Sequence, residues 1–155
     1  MSTLSQSANN NPVTIALADD DDDDRELFQE ALIEASPHVI LQCFNSGLSL
    51  MHAITNSNAN LPGLIFLDLN MPGKNGRECL KEIRLNESLQ SIPIIIFSTS
   101  FHKKDIDLAY ESGANLYFPK PLSFSQQVEM LKKILAINWE EHQPKSGTEK
   151  FVLQT

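Results

Sequence analysis

The side chains in this sequence that could act together stand just past the ends of apolar runs. Thr14-Ile15-Ala16-Leu17-Ala18 leads into Asp19-Asp20, Leu64-Ile65-Phe66-Leu67 into Asp68, Pro93-Ile94-Ile95-Ile96-Phe97 into Ser98-Thr99, and Leu116-Tyr117-Phe118 into Lys120-Pro121 one residue on. In an open parallel α/β sheet, ligands bind beyond the carboxyl ends of the strands, so these residues would share one edge. Three carboxylates, a hydroxyl and an ammonium make a site for a hard divalent cation and a phosphoryl group. Asp19, Asp20 and Asp68 would repel one another in a partly desolvated pocket. A bound Mg²⁺ (or Mn²⁺) would relieve that cost and leave coordination positions for water and phosphate. Asp68, alone at the tip of a fully apolar run, is the best placed nucleophile to carry an acyl phosphate. Lys120 is the point charge for the phosphate and is expected to pair with Asp68 without it. Ser98 can donate to a phosphoryl oxygen, so its geometry would differ between empty and loaded states.

The elements that must position these residues can be read from periodicity. Short apolar runs alternate with longer amphipathic ones, the pattern of an α/β domain with a parallel sheet. The five strands are 14–18, 39–44, 64–67, 93–97 and 116–118. Between them Leu27, Phe28, Ala31, Leu32 and Ala35 mark a first helix, and Leu48, Met51 and Ile54 a short second one. Cys79, Leu80 and Ile83 mark a third, Ile106, Ala109 and Tyr110 a weaker fourth, and Phe124, Val128, Leu131, Ile134 and Leu135 a last one ending near Trp139. Residues 1–12 are expected to be a flexible N-terminus, 13–139 the domain, and 140–155 a polar tail.

Composition narrows the function classes. The 155 residues carry 20 acidic and 12 basic side chains, a net charge of −8 that disfavours nucleic acid or an anionic membrane as the main partner. Six of the acids are the run Asp19 to Asp24, and without them 14 acidic residues face 12 basic ones. The acidity is therefore local. No apolar stretch approaches the roughly 20 residues of a membrane-spanning helix, and a cytoplasmic protein is the expectation. Cys43 and Cys79 lack metal spacing and read as small core residues, and the four histidines share no metal or triad spacing.

The ordered set Ala18-Asp19-Asp20, Leu67-Asp68-Leu69-Asn70-Met71-Pro72-Gly73, Ser98-Thr99 and Lys120-Pro121 resembles the receiver domain of two-component response regulators over about residues 13 to 137. The 30 residues from Asp68 to Ser98 and the 22 from Ser98 to Lys120 match the usual spacing of that family. The resemblance implies a doubly wound, flavodoxin-like fold of five parallel strands in the order 2-1-3-4-5, flanked by five helices. It implies that Asp68 accepts a phosphoryl group from a histidine kinase or histidine phosphotransfer protein. Asp20 and Asp68 would then bind Mg²⁺ directly, Asp19 through water, and Asn70 by its main-chain carbonyl. Tyr117 would be the aromatic switch residue that moves with Ser98. The segments Leu69-Asn70-Met71-Pro72 with Gly76-Arg77-Glu78, Ser98-Thr99-Ser100 and Asn138-Trp139 also look like single-domain regulators paired with phytochrome-type kinases.

Two departures stand out. Thr99 occupies a position that is usually Ala or Gly, and its branched side chain is expected to narrow access to Asp68. Asp21 to Asp24 exceed what a metal needs and read as a structural or solubilising start to the first helix. The run imitates a calcium loop, but Asp24 stands where the sharp turn needs Gly. An aspartate-nucleophile phosphatase is disfavoured because Asn70 stands where such enzymes carry a proton-shuttling carboxylate. A flavin carrier of the same topology is disfavoured because the aspartates would repel its phosphate. The sequence thus reads as a stand-alone phosphoacceptor signalling protein with slow self-catalysed phosphorylation and hydrolysis, or alternatively as a phosphorylation-independent binding module. Its downstream target is not legible. Homodimer formation is left open, with Phe151-Val152-Leu153 read either as a strand offered to another chain or as part of a disordered tail.

Overall fold

Strands whose every residue is apolar must be covered on both faces, and here helices supply the cover. The computed structural model describes residues 13–56, 58, 60–140 and 151–153. The order is β1 (Thr14–Ala18), α1 (Asp22–Ala35), β2 (Ile40–Phe44), α2 (Gly47–Thr55), β3 (Leu64–Leu67), α3 (Gly76–Leu85), β4 (Ile94–Ser98), α4 (Lys103–Glu111), β5 (Leu116–Pro119) and α5 (Phe124–Leu135). All strand pairs are parallel and the sheet order is β2-β1-β3-β4-β5, as the resemblance implied.

The two-residue period of the strands sorts the core into two layers. Ala16, Ala18, Ile65, Leu67, Ile94, Ile96 and Tyr117 join the buried residues of α2, α3 and α4, whereas Ile15, Leu17, Phe66, Ile95, Phe97 and Phe118 join those of α1 and α5. In the second layer Phe28, Phe66, Phe97 and Phe118 stack as a chain of ring contacts, each 4.9–6.5 Å between centroids. The starts of α1, α2, α3 and α5 are marked by side-chain caps, whereas α4 has none. The Asp21 carboxylate accepts from the Asp24 amide, and Asn75 with Glu78 forms a reciprocal capping box on α3.

One clamp ties the loops on the far side of the sheet. The Arg84 guanidinium donates to the carbonyls of Gly113, Gln90 and Ile92 and to Asn115 Oδ1, all within 3.0 Å. Gly113 adopts φ +98° above the arginine stem, a backbone conformation that L side chains rarely take.

Three expectations need correction. Cys43 is exposed rather than in the core, because β2 is an edge strand and much of its surface stays open; Cys79 is buried as expected. The last helix ends at Leu135, and Trp139 instead folds back, its indole Nε1 donating to the Ile134 carbonyl at 3.2 Å. Phe151-Val152-Leu153 pairs within its own chain. The Tyr117 amide donates to the Phe151 carbonyl at 3.0 Å and the Leu153 amide to the Tyr117 carbonyl at 2.8 Å, so Val152 lies parallel beside β5. Phe151 is buried against Tyr110 and Tyr117. The expected loose start at 1–12 and most of the expected tail lie outside the described residues.

The tail contact makes a testable statement about β5. A chain ending at residue 150 should exchange the Tyr117 amide hydrogen at least about tenfold faster than the full chain. The central amide of Phe66 should be unchanged, and equal protection of Tyr117 in both proteins, read by hydrogen-exchange mass spectrometry or NMR, would contradict the pairing.

Candidate functional site

The residues that end the strands are held there by the sheet itself. The Asp19 amide donates to the Phe44 carbonyl at 3.0 Å, the Asp68 amide to Ala18 at 3.0 Å, and the Lys120 amide to Ser98 at 2.8 Å. Each of the three continues the main-chain ladder past its strand. Their side chains therefore stand on rigid backbone, with Asp19, Asp68 and Ser98 buried and Asp20 exposed beside them. The Asp19 carboxylate accepts the Asp21 amide at 3.0 Å, and its main-chain carbonyl accepts Arg25 Nη1 at 2.7 Å. Asp68 Oδ1 accepts the Asn70 amide at 3.2 Å.

A glycine lets the third helix begin against this loop. A Cβ on Gly76 would fall on the main-chain carbonyl of Asp68 and against Leu69. Only hydrogen fits there, so α3 abuts the backbone of the aspartate at the tip of β3.

Asp19, Asp20 and Asp68 each present a carboxylate oxygen, and these oxygens lie within 4.8 Å of one another. An all-oxygen set of this charge suits a hard divalent cation. Lys120 Nζ enters the same space, 2.8 Å from Asp19 Oδ2, 2.8 Å from Asp24 Oδ2 and 3.4 Å from Asp68 Oδ2, with the Phe97 ring centroid at 5.3 Å. The expected pairing of Lys120 with Asp68 is thus the longest of its three contacts. Asp24, expected only to start a helix, is one of the two closer partners. It lies four residues before Phe28 on the face of α1 that turns toward the sheet, and that spacing is the signal that could have found it.

The electrostatics follow from this division. Burial pushes the Asp68 carboxyl up to about 6, with the nearby Asp19 adding to the rise and Lys120 opposing it. Burial alone would lower Lys120, yet its hydrogen bonds to Asp19 and Asp24 carry it above the usual lysine range. The ammonium is held mostly by Asp19 and Asp24, and Asp68 is left underserved.

A second polar chain leads away from the site. The buried Tyr117 hydroxyl donates to the Ser100 carbonyl at 2.9 Å, Ser100 Oγ donates to Asp105 at 2.5 Å, and Arg77 Nη2 donates to Asp105 at 2.7 Å. Ser98 Oγ accepts the Ser100 amide at 3.1 Å. Burial pushes the Tyr117 phenol up, with hydrogen bonding to Ser98 and Ser100 opposing. Sequence reasoning named Ser98 and Tyr117 as switch residues, gave Ser100 and Arg77 only within the resemblance with no role, and missed Asp105; these three join the switch pair to α4 and α3. Thr99 and Asn70 are both exposed at the rim.

Comparison with known proteins agrees with this geometry. The profile of the response regulator receiver domain matches residues 15–132. The chain is 34% identical over 130 residues to the response regulator Rcp1 of Synechocystis sp. strain PCC 6803, covering 81% of this chain and 88% of that protein. The crystal structure of the phosphorylated cyanobacterial phytochrome response regulator RcpA is similar at TM-score 0.73 and 34% identity, covering 80% of this chain and 91% of that one. The Mn²⁺-bound form of Rcp1 is similar at TM-score 0.74 and 32% identity, covering 87% and 100%. Among the described residues no helix is long and apolar enough to cross a membrane. Sheet order and comparisons agree, and the chain belongs to the response regulator receiver domain family.

Proposed function

We propose that Asp68 is the phosphoacceptor of a Mg²⁺-dependent response regulator, and that Ser98 and Tyr117 pass its phosphorylation state to the surface formed by α4 and β5. Receiver domains are phosphorylated by histidine kinases or phosphotransfer proteins, and Asp68 is the residue here with the position and environment for that role. The observation that carries the reading is its placement. It is a buried carboxylate at the tip of the central strand, with Lys120 3.4 Å away and two further carboxylates within cation-sharing distance.

In the proposed transfer, a carboxylate oxygen of Asp68 bonds to phosphorus as the phosphorus–nitrogen bond of a phosphohistidine breaks, and that electron pair leaves with the imidazole nitrogen. Lys120 donates to a phosphoryl oxygen, and Ser98 Oγ to another. Asp20 and Asp68 would hold the cation directly, Asp19 would hold it through water, and the Asn70 main-chain carbonyl would complete the protein ligands. When bound, the cation supplies neutralisation of the phosphoryl charge. Drawing Ser98 toward the phosphoryl group alters the support of Ser100, on which the Tyr117 hydroxyl rests. Loading can shift the resting and active forms only by this differential interaction. The likeness to Rcp1 and RcpA supports a phytochrome-type kinase as the phosphodonor.

Intact-mass spectrometry after incubation with acetyl phosphate and Mg²⁺ tests the reading. The expected result is one base-labile phosphoryl adduct that disappears with chelator and in Asp68→Asn. Absence of an adduct in both the unaltered protein and Thr99→Ala, where access to Asp68 is widened, would instead indicate a binding module that works without phosphorylation.

A further inference from the structure

Lys120 is held by one more carboxylate than the phosphoryl chemistry requires. Its ammonium has three hydrogens and three carboxylate neighbours, Asp19, Asp24 and Asp68. Asp19 and Asp68 belong to the proposed cation set, whereas Asp24 reaches the ammonium from the first turn of α1. A divalent cation held among Asp19, Asp20 and Asp68 would stand close enough to the ammonium for strong like-charge repulsion. Entry of the cation therefore requires the ammonium to loosen its hold on Asp19. The cost of that step depends on what else the ammonium can keep. Among the described residues, Asp24 is its one carboxylate partner outside the cation set.

The neighbouring aspartates do not share this role. The Asp21 carboxylate caps α1, Asp22 pairs with Arg25, and Asp23 lies exposed. The Phe97 ring lies beneath the ammonium, with its centroid 5.3 Å away.

We propose that Asp24 is a positioning residue that keeps the Lys120 ammonium when a divalent cation engages Asp19, Asp20 and Asp68, an inference that rests on the cation reading above. Without the Asp24 carboxylate, Lys120 has only Asp19 and Asp68 to hold and competes with the cation for both. With it, the ammonium stays beside the site and remains within reach of a phosphoryl group on Asp68.

The test is a Mn²⁺ titration of the full chain by calorimetry, with no phosphodonor present, on the unaltered protein, Asp24→Asn, Lys120→Met and the double variant. Asp23→Asn removes the same charge from the adjacent exposed position and measures the purely through-space effect. The expected result is that Asp24→Asn weakens Mn²⁺ binding about threefold or more beyond Asp23→Asn, that Asp24→Glu restores it, and that the excess vanishes in the Lys120→Met background. An equal loss with and without Lys120 overturns the proposal while leaving the cation reading intact. Failure of the unaltered protein to bind Mn²⁺ overturns both. If Lys120→Met does not fold, the comparison of Asp24→Asn with Asp23→Asn decides alone, and equal losses overturn the proposal.

Discussion

In chelator at neutral pH, Asp68→Asn is expected to be more stable than the unaltered protein by about 2–3 kcal/mol. The carboxyl is pushed from 3.8 up to about 6 by burial, which means that the folded chain binds this proton more tightly than the unfolded chain. The stability contributed by the protonated form is complete below the unfolded value. It is lost as pH rises through the folded value, so above pH 6 the ionised group works against folding. Asn removes the charge and keeps the shape. The advantage of the variant should therefore shrink as pH falls from about 7 to about 4 and vanish below that. Urea unfolding midpoints across this range measure it. Added Mg²⁺ should stabilise the unaltered protein more than the variant, because only the former keeps all three carboxylates. An equal midpoint for the two proteins in chelator at neutral pH would show that Lys120 already neutralises Asp68, against the 3.4 Å separation.

Arg84→Met is expected to destabilise the protein by about 3 kcal/mol. The guanidinium has neutral oxygens as its hydrogen-bond partners, three main-chain carbonyls and the Asn115 side chain. Burial lowers its affinity for its proton, yet each donor it offers satisfies an acceptor in a turn. Removing it strands those acceptors in the loops before β4 and before β5. Asn115 Oδ1 retains the Ile94 amide at 2.8 Å, so the start of β4 should be less affected than the Gly113 turn. Arg84→Lys should recover less than half of the loss, because one ammonium cannot span four acceptors. Chemical unfolding gives the magnitude, and hydrogen exchange at Gly113 and Asn115 shows where it falls. A loss under about 1 kcal/mol would mean that water replaces the clamp.

Much of the fold was legible because local signals and tertiary demands agree. The run Leu64-Ile65-Phe66-Leu67 has no polar face and is the strand with a neighbour on either side in the middle of the sheet. Asp68, Ser98 and Lys120 were found because topology places strand ends together whatever the side-chain details. The misses come from long-range geometry. Cys43 looked like a core residue because its strand is apolar in sequence, and only the strand order shows that β2 is an edge. Arg84 sits in an amphipathic helix where an arginine ordinarily faces solvent, and nothing local reveals carbonyls that arrive up to 31 residues later in the chain. The apolar triplet at 151–153 signalled strand pairing correctly but not with which chain. Asp24 was hidden by its own neighbours, since one acid in a run of six carries little information until Lys120 is placed.

The two layers also divide the molecule's chromophores. Both tyrosines, Tyr110 and Tyr117, share a layer with α2, α3, Phe151 and Val152, while the single tryptophan, Trp139, lies in the layer of α1 and α5. Absorption and emission from the two residue types therefore report on opposite sides of the sheet. A ligand-induced change confined to tyrosine signals would locate its rearrangement on the α4 side, and a tryptophan shift would locate it at the end of α5. The native sequence thus carries an optical label for each layer.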